Sequence, residues 1–344
     1  MNDNNTTLLT QKKRNDSIDA TRGIALFLVV LSHSRLSLPY YLIAFYVMAF
    51  FFISGYLYKP GKSYTENIKK KASRLLVPYF ANSLILLIIY SLIYKFSAKE
   101  IIEAIQGIIY SRNYIVYTGI EKPILGTIAN NPLWYLTAFF TTSLLFHAVV
   151  DYYTKKWGNL CYLCLILLSF SIGLTHLPIL LPLSFDIVPF CTIVMILGYI
   201  FKKESFNLNS NGVVTFILFI SYIALCLNHN PINLSIREYG GGQMNALLIG
   251  ILGSLTCISL TNKCIFRPFK KIFTIIGKNS IVILSYHLMF IRILRMIIIK
   301  IFLVFNYNID NSLCEILIVC ISIFCCITMG YIYEKVKNVT LKFI

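Results

Sequence analysis

Residues 18–34 read Ile18-Asp19-Ala20-Thr21-Arg22-Gly23-Ile24-Ala25-Leu26-Phe27-Leu28-Val29-Val30-Leu31-Ser32-His33-Ser34, an apolar run interrupted by one fixed cation and one imidazole. Arg22 and His33 are eleven residues apart, and at ~100° per residue a helix returns to within ~20° of the same face over that interval. The two side chains are therefore expected on one stripe. At ~1.5 Å per residue, His33 lies roughly 16 Å beyond Arg22, near the middle of a bilayer if Arg22 marks its edge. An ionisable group at that depth is costly unless it faces protein or water, which makes it a functional candidate.

The surrounding composition makes the membrane reading general. Of 344 residues, 57% are hydrophobic, and the mean hydropathy is +0.73. These values place the chain among polytopic membrane proteins, with an all-α helical bundle as the fold class. A net charge of +17 raises the question of nucleic acid. The lysines and arginines, however, fall in short segments between apolar stretches, which is a topology signal and not a basic groove, so no nucleic-acid partner is expected. Most of the ten cysteines sit inside apolar runs and read as small hydrophobes. Cys161-x-x-Cys164 lacks a second pair or a flanking histidine, and no metal is expected there.

About ten spans are expected, at 20–37, 41–58, 75–95, 133–151, 159–175, 184–201, 212–228, 243–261, 280–303 and 312–333. Asp16, Ser17 and Asp19 suit the start of the first helix, as cap and as negative charge at the positive end of its dipole. About twenty polar residues precede the first apolar run, so no cleavable leader is expected and the first span should stay as an anchor. One alternate set of connecting segments holds most of the cations: Lys12, Lys13, Arg14; Lys59, Lys62, Lys69, Lys70, Lys71, Arg74; Lys155, Lys156; Lys202, Lys203; Lys263, Arg267, Lys270, Lys271, Lys278; and Lys335, Lys337, Lys342. The other set holds few, among them Arg35, Lys95, Lys99, Arg112, Lys122 and Arg237. By the positive-inside rule both termini are cytoplasmic, which needs an even number of spans. The expected layout is a cytoplasmic tail over 1–17, a membrane domain over 18–334 and a second cytoplasmic tail over 335–344. No internal repeat or low-complexity segment is visible.

Two non-cytoplasmic segments carry pattern. Ile101, Ile102, Ile105, Ile108 and Ile109 have helical spacing and predict an amphipathic helix lying over the outer mouth. Gly240-Gly241-Gly242 reads either as a place of close backbone or ligand approach or as a flexible turn.

His33 is the candidate whose ordinary pKa, about 6.5, permits proton transfer near neutrality, and a neutral imidazole can serve as a general base. The alternative is a histidine bonded to a neighbouring helix. Ser32 and Ser34 flank it on other faces and are not read as nucleophiles. Arg22 either snorkels to lipid phosphate or meets an anionic ligand. Lys69-Lys70-Lys71 and Arg74 lie across the same loop, and several cations converging there suit a phosphate-rich ligand, although topology alone also places them. Trp134 is an aromatic at an outer boundary, where belt rings are common. Asp186 either orients a cation or caps a helix. His287 is a second intramembrane imidazole, ranked below His33 because simple packing also explains it. His147, His176 and His229 fall near span ends and are expected to face water.

Ile18 to Ala25 followed by Val29 to Ser34 resembles the first span of the membrane acyltransferase-3 family, whose signature is an arginine, ten residues, then a histidine. Phe45-Tyr46-Val47-Met48-Ala49-Phe50-Phe51-Phe52-Ile53-Ser54-Gly55-Tyr56 is similar to its second span. Fucose-4-O-acetylase-like members often have Phe-His-Met-Pro there, and Tyr46 and Met48 depart from that. Lys70 to Tyr79, Asn131-Pro132-Leu133-Trp134-Tyr135-Leu136, Phe185-Asp186 with Pro189 and Gly198-Tyr199, and Ile276 to Ser280 leading to His287 resemble further landmarks in order. The resemblance implies a ten-span enzyme of the cytoplasmic membrane. It would take an acyl group, usually acetyl, from acyl-CoA and deliver it to a hydroxyl of a cell-surface sugar, polysaccharide or glycolipid precursor. It also implies Arg22 and His33 as the catalytic pair, with Arg22, Lys71 and Arg74 holding CoA phosphates. Trp134, Asp186 and His287 are then the candidates for binding the acceptor. The rival is a transporter of a lipid-linked or small anionic substrate, which intramembrane Arg22, His33, Arg292 and Arg295 would also suit. The lack of paired, broken spans speaks against it.

Overall fold

The computed structural model describes residues 16–61, 63–112, 132–153, 157–203, 212–305 and 312–340. The expected cations Lys12, Lys13, Arg14, Lys62, Lys122, Lys155, Lys156 and Lys342, together with Asn131, lie outside the described residues. Helix α1 is Asp16–Ser32, α2 is Tyr40–Ile43 and α3 is Tyr46–Tyr56. Helices α4, Tyr64–Tyr94, and α5, Ala98–Tyr110, follow. Then come α6, Trp134–Tyr153, α7, Trp157–Thr175, and α8, Val188–Lys203, the last entered through a 3-10 turn at Pro182–Ile187. Helix α9 is Gly212–Leu227 and α10 is Gln243–Thr261; between them Ile232–Asn233 and Glu238–Tyr239 pair as a short antiparallel ladder. The chain continues as α11, Arg267–Lys278, α12, Ser280–Phe305, and α13, Ser312–Thr340.

Each expected span overlaps a helical segment, the first of them, 20–37, only as far as Ser32. By length and apolar composition five of the described helices qualify as full crossings: Tyr64–Tyr94, Pro182–Lys203, Gln243–Thr261, Ser280–Ile298 and Ser312–Tyr333. Tyr40–Tyr56, Trp134–Val150, Asn159–Thr175 and Gly212–Leu227 are shorter apolar helices. The outward faces are those of a lipid-embedded bundle. Val77, Leu84, Ile88 and Leu92 form one bare stripe along α4, and Phe216, Ile217, Phe219 and Ile220 are bare on α9. Exposure of that many large apolar side chains is a hydrophobic surface that water would not tolerate.

Two boundaries differ from the sequence reading. The first helix stops at Ser32 instead of running to residue 37, because its last carbonyls are taken by side chains: Ser32 Oγ donates to the Val29 oxygen at 2.8 Å, and Ser34 Oγ to the Leu31 oxygen at 2.6 Å. His33 therefore stands just past the end of the helix and not in mid-span. The second correction is α11, which lies within a segment read only as a basic connection. The signal was present: Phe273 and Ile276 sit one turn apart between Lys270, Lys271 and Lys278, an amphipathic pattern. On the other side, α5 occupies the expected isoleucine stretch, started by a capping box in which Ser97 and Glu100 satisfy each other's backbone N–H. Its Ile102 and Ile109 are exposed, whereas Ile108 is buried and its carbonyl accepts from the Tyr79 hydroxyl at 2.6 Å.

The closest helix pairs are α1 with α11 and α3 with α8. Both use reciprocal glycines. A methyl group on Gly23 would collide with the Phe273 carbonyl, and one on Gly277 with the Asp19 carbonyl. Gly55 and Gly198 stand in the same relation to the Met195 and Phe52 carbonyls. Lacking a side chain, each lets one backbone lie against the next, the device that small residues provide between membrane helices. Lys270 Nζ adds a bond to Ser17 Oγ at 2.7 Å, and Thr274 Oγ1 one to the Asp16 carbonyl at 3.2 Å, so α11 holds the start of α1. Gly277→Ala is expected to destabilise the protein by about 1–3 kcal/mol through overpacking, read as a lowered unfolding midpoint in detergent. An unchanged midpoint would mean that the two helices are free to separate.

Candidate active site

Arg22, Leu26, Val29 and His33 all line one cavity of about 660 Å³. The spacing of four and three residues puts Arg22, Leu26 and Val29 on one stripe of α1, and His33, the residue after its last, borders the same cavity four positions on. A volume of that size falls within the range of small-molecule sites. The other walls come from α2 and α3, α4, α6, α12 and the segment Pro231–Ser235.

One end is cationic. Arg22, Lys71 and Arg74 line it together, and the charges of Arg22 and Arg74 act on Lys71. Asp19 accepts from Arg22 Nη1 at 3.4 Å, leaving an excess of positive charge around this mouth. Lys71 Nζ lies 3.4 Å from Ser54 Oγ and 4.6 Å from the centre of the Phe139 ring, which fixes a flexible side chain at the cavity wall. Pro78, one turn beyond Arg74, has no N–H to give the Arg74 carbonyl, so the backbone there is open to another donor.

The other end holds His33. Its ring makes no hydrogen bond among the described residues and borders the cavity, whereas His287 lies against it with ring centres 5.3 Å apart. Tyr46, the residue that departs from the family's histidine, also lines the cavity, with its hydroxyl 3.4 Å from Ser32 Oγ. Sequence reasoning saw Tyr46 only as a departure; its position one turn before Phe50, on the face toward α1, is the signal that was available. Trp134 is 7% exposed and packed edge-on to Tyr135, yet contributes to the cavity wall, so it is a core ring with one edge at the site and not a belt residue.

Two candidates are placed elsewhere. Asp186 does not reach the cavity: it is wholly buried, its Oδ1 paired with Arg112 and its Oδ2 3.5 Å from Arg237 Nη1. Burial lowers the pKa of the Arg112 guanidinium, and the Asp186 carboxylate pulls it back up. Asp186 is the anion of a buried ion triad, in line with the cation-orienting role among those the sequence left open. Nothing in the sequence links Arg112, Asp186 and Arg237, which the fold brings together from three loops. His287 is likewise fully buried and does not line the cavity.

The remaining candidate histidines and arginines do not line this cavity. His147 is buried against Tyr58 and Phe146, at 5.1 and 5.6 Å between ring centres, contrary to the expectation that it faces water. His176 is exposed. His229 accepts from the Gly241 N–H at 3.1 Å, and the glycine turn folds over its ring, with φ of +67° at Gly240 and +130° at Gly242. A Cβ at Gly240 would run into the His229 ring, and the φ at Gly242 is one that side-chain-bearing residues rarely adopt, so the triplet is a built turn. Arg295 makes a two-pronged pair with Glu315 at 3.1 and 2.7 Å. Arg292 lies over the Tyr90 ring, 5.3 Å from its centre.

Against known proteins, the family model described as "Acyltransferase domain" matches residues 15–332. No curated protein and no solved structure matches the chain.

Proposed function

Because the chain belongs to this membrane acyltransferase-3 family, we propose that it transfers an acetyl group from acyl-CoA to a hydroxyl of a cell-surface sugar, polysaccharide or lipid-linked glycan precursor. The reading includes ten crossings of the cytoplasmic membrane, with both termini and the Arg22 end of the cavity on the cytoplasmic side. What supports it is a single observation: one cavity carries Arg22, Lys71 and Arg74 at one end and His33 at the other. Phosphates of a CoA are met by cations with planar or multiple N–H donors, and the excess positive charge at that mouth fits them.

In this reading Arg22, Lys71 and Arg74 hold the donor's phosphates, and the apolar stripe of Leu26 and Val29 guides the thin pantetheine arm toward His33. The imidazole then takes the proton of the acceptor hydroxyl as its oxygen forms a bond to the thioester carbonyl carbon. The carbon–sulfur bond breaks, the thiolate leaves, and His33 returns the proton to the sulfur, so that the products are an ester and a free thiol. Tyr46 and the edge of Trp134 border the place where the acceptor sits. The family match weighs against the transporter reading, and the Arg295–Glu315 pair removes one of the free intramembrane cations on which that reading leaned.

The test is acyl-CoA-dependent labelling of glycan in membranes with and without the protein, read by mass spectrometry as a gain of one acyl group. Absence of that gain from active preparations, with the donor varied in chain length, would sink the proposal. Lys71→Ala and Arg74→Ala are each expected to raise KM for acyl-CoA about ten-fold, worth ~1.4 kcal/mol of binding, with little change in kcat. A fall in kcat at constant KM would instead place these cations at the chemistry.

A further inference from the structure

His287 is a wholly buried imidazole beside the cavity that the reaction above leaves unused. Its Nδ1 lies 2.7 Å from the Ile283 carbonyl oxygen and 3.1 Å from that of Leu284. Carbonyl oxygens only accept, so Nδ1 carries the proton and Nε2 is left as a bare acceptor. That nitrogen is buried and finds no hydrogen-bond partner among the described residues. An unpaired acceptor in the interior costs as much as a lost hydrogen bond, and a donor next to it is strongly favoured.

The adjacent group able to supply one is His33, whose ring centre is 5.3 Å away at an interplanar angle of 39°. The two imidazoles differ in setting. His33 borders the cavity; His287 does not, although Ile281 and Leu284 of its own helix do. We propose that His287 is a positioning residue for His33: its Nε2 accepts the N–H of one His33 ring nitrogen, directly after a small ring rotation or through one water. The other His33 nitrogen then keeps its lone pair toward the cavity. The backbone carbonyl of Ile283 fixes the tautomer of His287, His287 fixes that of His33, and the order runs from helix backbone to reacting group. A neutral imidazole here takes the orienting place that a carboxylate often fills behind a catalytic histidine, suited to a site where a second charge would be expensive. Catalytic contacts are commonly longer in the absence of substrate, which accords with the present separation.

This inference rests on the reading of His33 as the base, and the experiment separates the two. His287→Leu is expected to lower kcat about ten- to a hundred-fold with KM for donor and acceptor unchanged, the size typical of losing such an outer partner. His287→Gln, whose side-chain oxygen can accept the same N–H, is expected to recover most of that loss. In a His33→Ala background neither change should lower the residual rate further, since His287 acts only through His33. All variants are compared at equal membrane abundance and unfolding midpoint, with His287→Phe replacing the leucine variant if that one fails to accumulate. Equal kcat for the leucine and glutamine variants, an effect confined to KM, or a further loss in the His33→Ala background overturns the positioning role. Full activity of His33→Ala itself overturns the base and the positioning role together.

Discussion

Replacing His33 with alanine is expected to lower acyl transfer by about a hundred- to ten-thousand-fold, the range that a positioned general base contributes. Two features of the structure make this separable from a folding defect. The ring follows the last residue of α1 and makes no hydrogen bond among the described residues, and His287 Nε2 is already unpaired with the ring in place, so removing the ring breaks no bond that holds the fold. The cationic mouth lies roughly 16 Å along the same stripe, so KM for acyl-CoA should hold while kcat falls. The measurement is initial-rate transfer at varied acyl-CoA, with abundance and unfolding midpoint recorded in parallel. A variant that keeps its rate would move the base elsewhere in the cavity, with the Tyr46 hydroxyl the next group to test.

What the sequence made legible was the stripe, and the reason is periodicity. Arg22, Leu26 and Val29 share one helical face whatever the tertiary fold, and His33 follows directly on the last residue of that helix, so most of the cavity's polar-apolar order follows from spacing. The landmark glycines were visible as residues but not as contacts: that Gly23 faces Phe273 and Gly198 faces Phe52 depends on which helices meet, which no local pattern encodes. Hydropathy located the helices well and the end of α1 poorly. An apolar run continues past Ser32 on composition, whereas the helix ends where serine hydroxyls bond back to its carbonyls. Amphipathic α11 was hidden by its charge. Its lysines dominate a topology count, and the apolar face that packs on α1 appears only when the segment is read at helical period. The ion triad was illegible for the opposite reason: Arg112 and Arg237 are distant in sequence from Asp186, and a lone carboxylate near a span end has several ordinary roles.

That ion triad carries the second large effect. Asp186→Ala is expected to cost about 3–5 kcal/mol of stability, because it leaves two guanidinium groups buried without their counter-charge. Both stay tethered, Arg112 to the Leu181 and Ser235 carbonyls at 3.2 and 2.8 Å and Arg237 to those of Ile179 and Leu177 at 3.1 and 2.7 Å. They cannot reach solvent without breaking those bonds. Asp186→Asn, which keeps an acceptor but loses the charge, should fall between the alanine variant and the parent. The consequence for function has a direction. Ser235, whose carbonyl Arg112 holds, belongs to the Pro231–Ser235 wall of the cavity, whereas Arg22, Lys71 and Arg74 lie on other elements. Loosening the triad should therefore raise KM for the acceptor before it affects KM for acyl-CoA. The checks are the unfolding midpoint of each variant in detergent and the two KM values for whatever remains folded at low temperature. An unchanged midpoint would mean that water or lipid headgroups already reach the two arginines, and a rise in KM for acyl-CoA alone would detach the Pro231–Ser235 wall from acceptor binding.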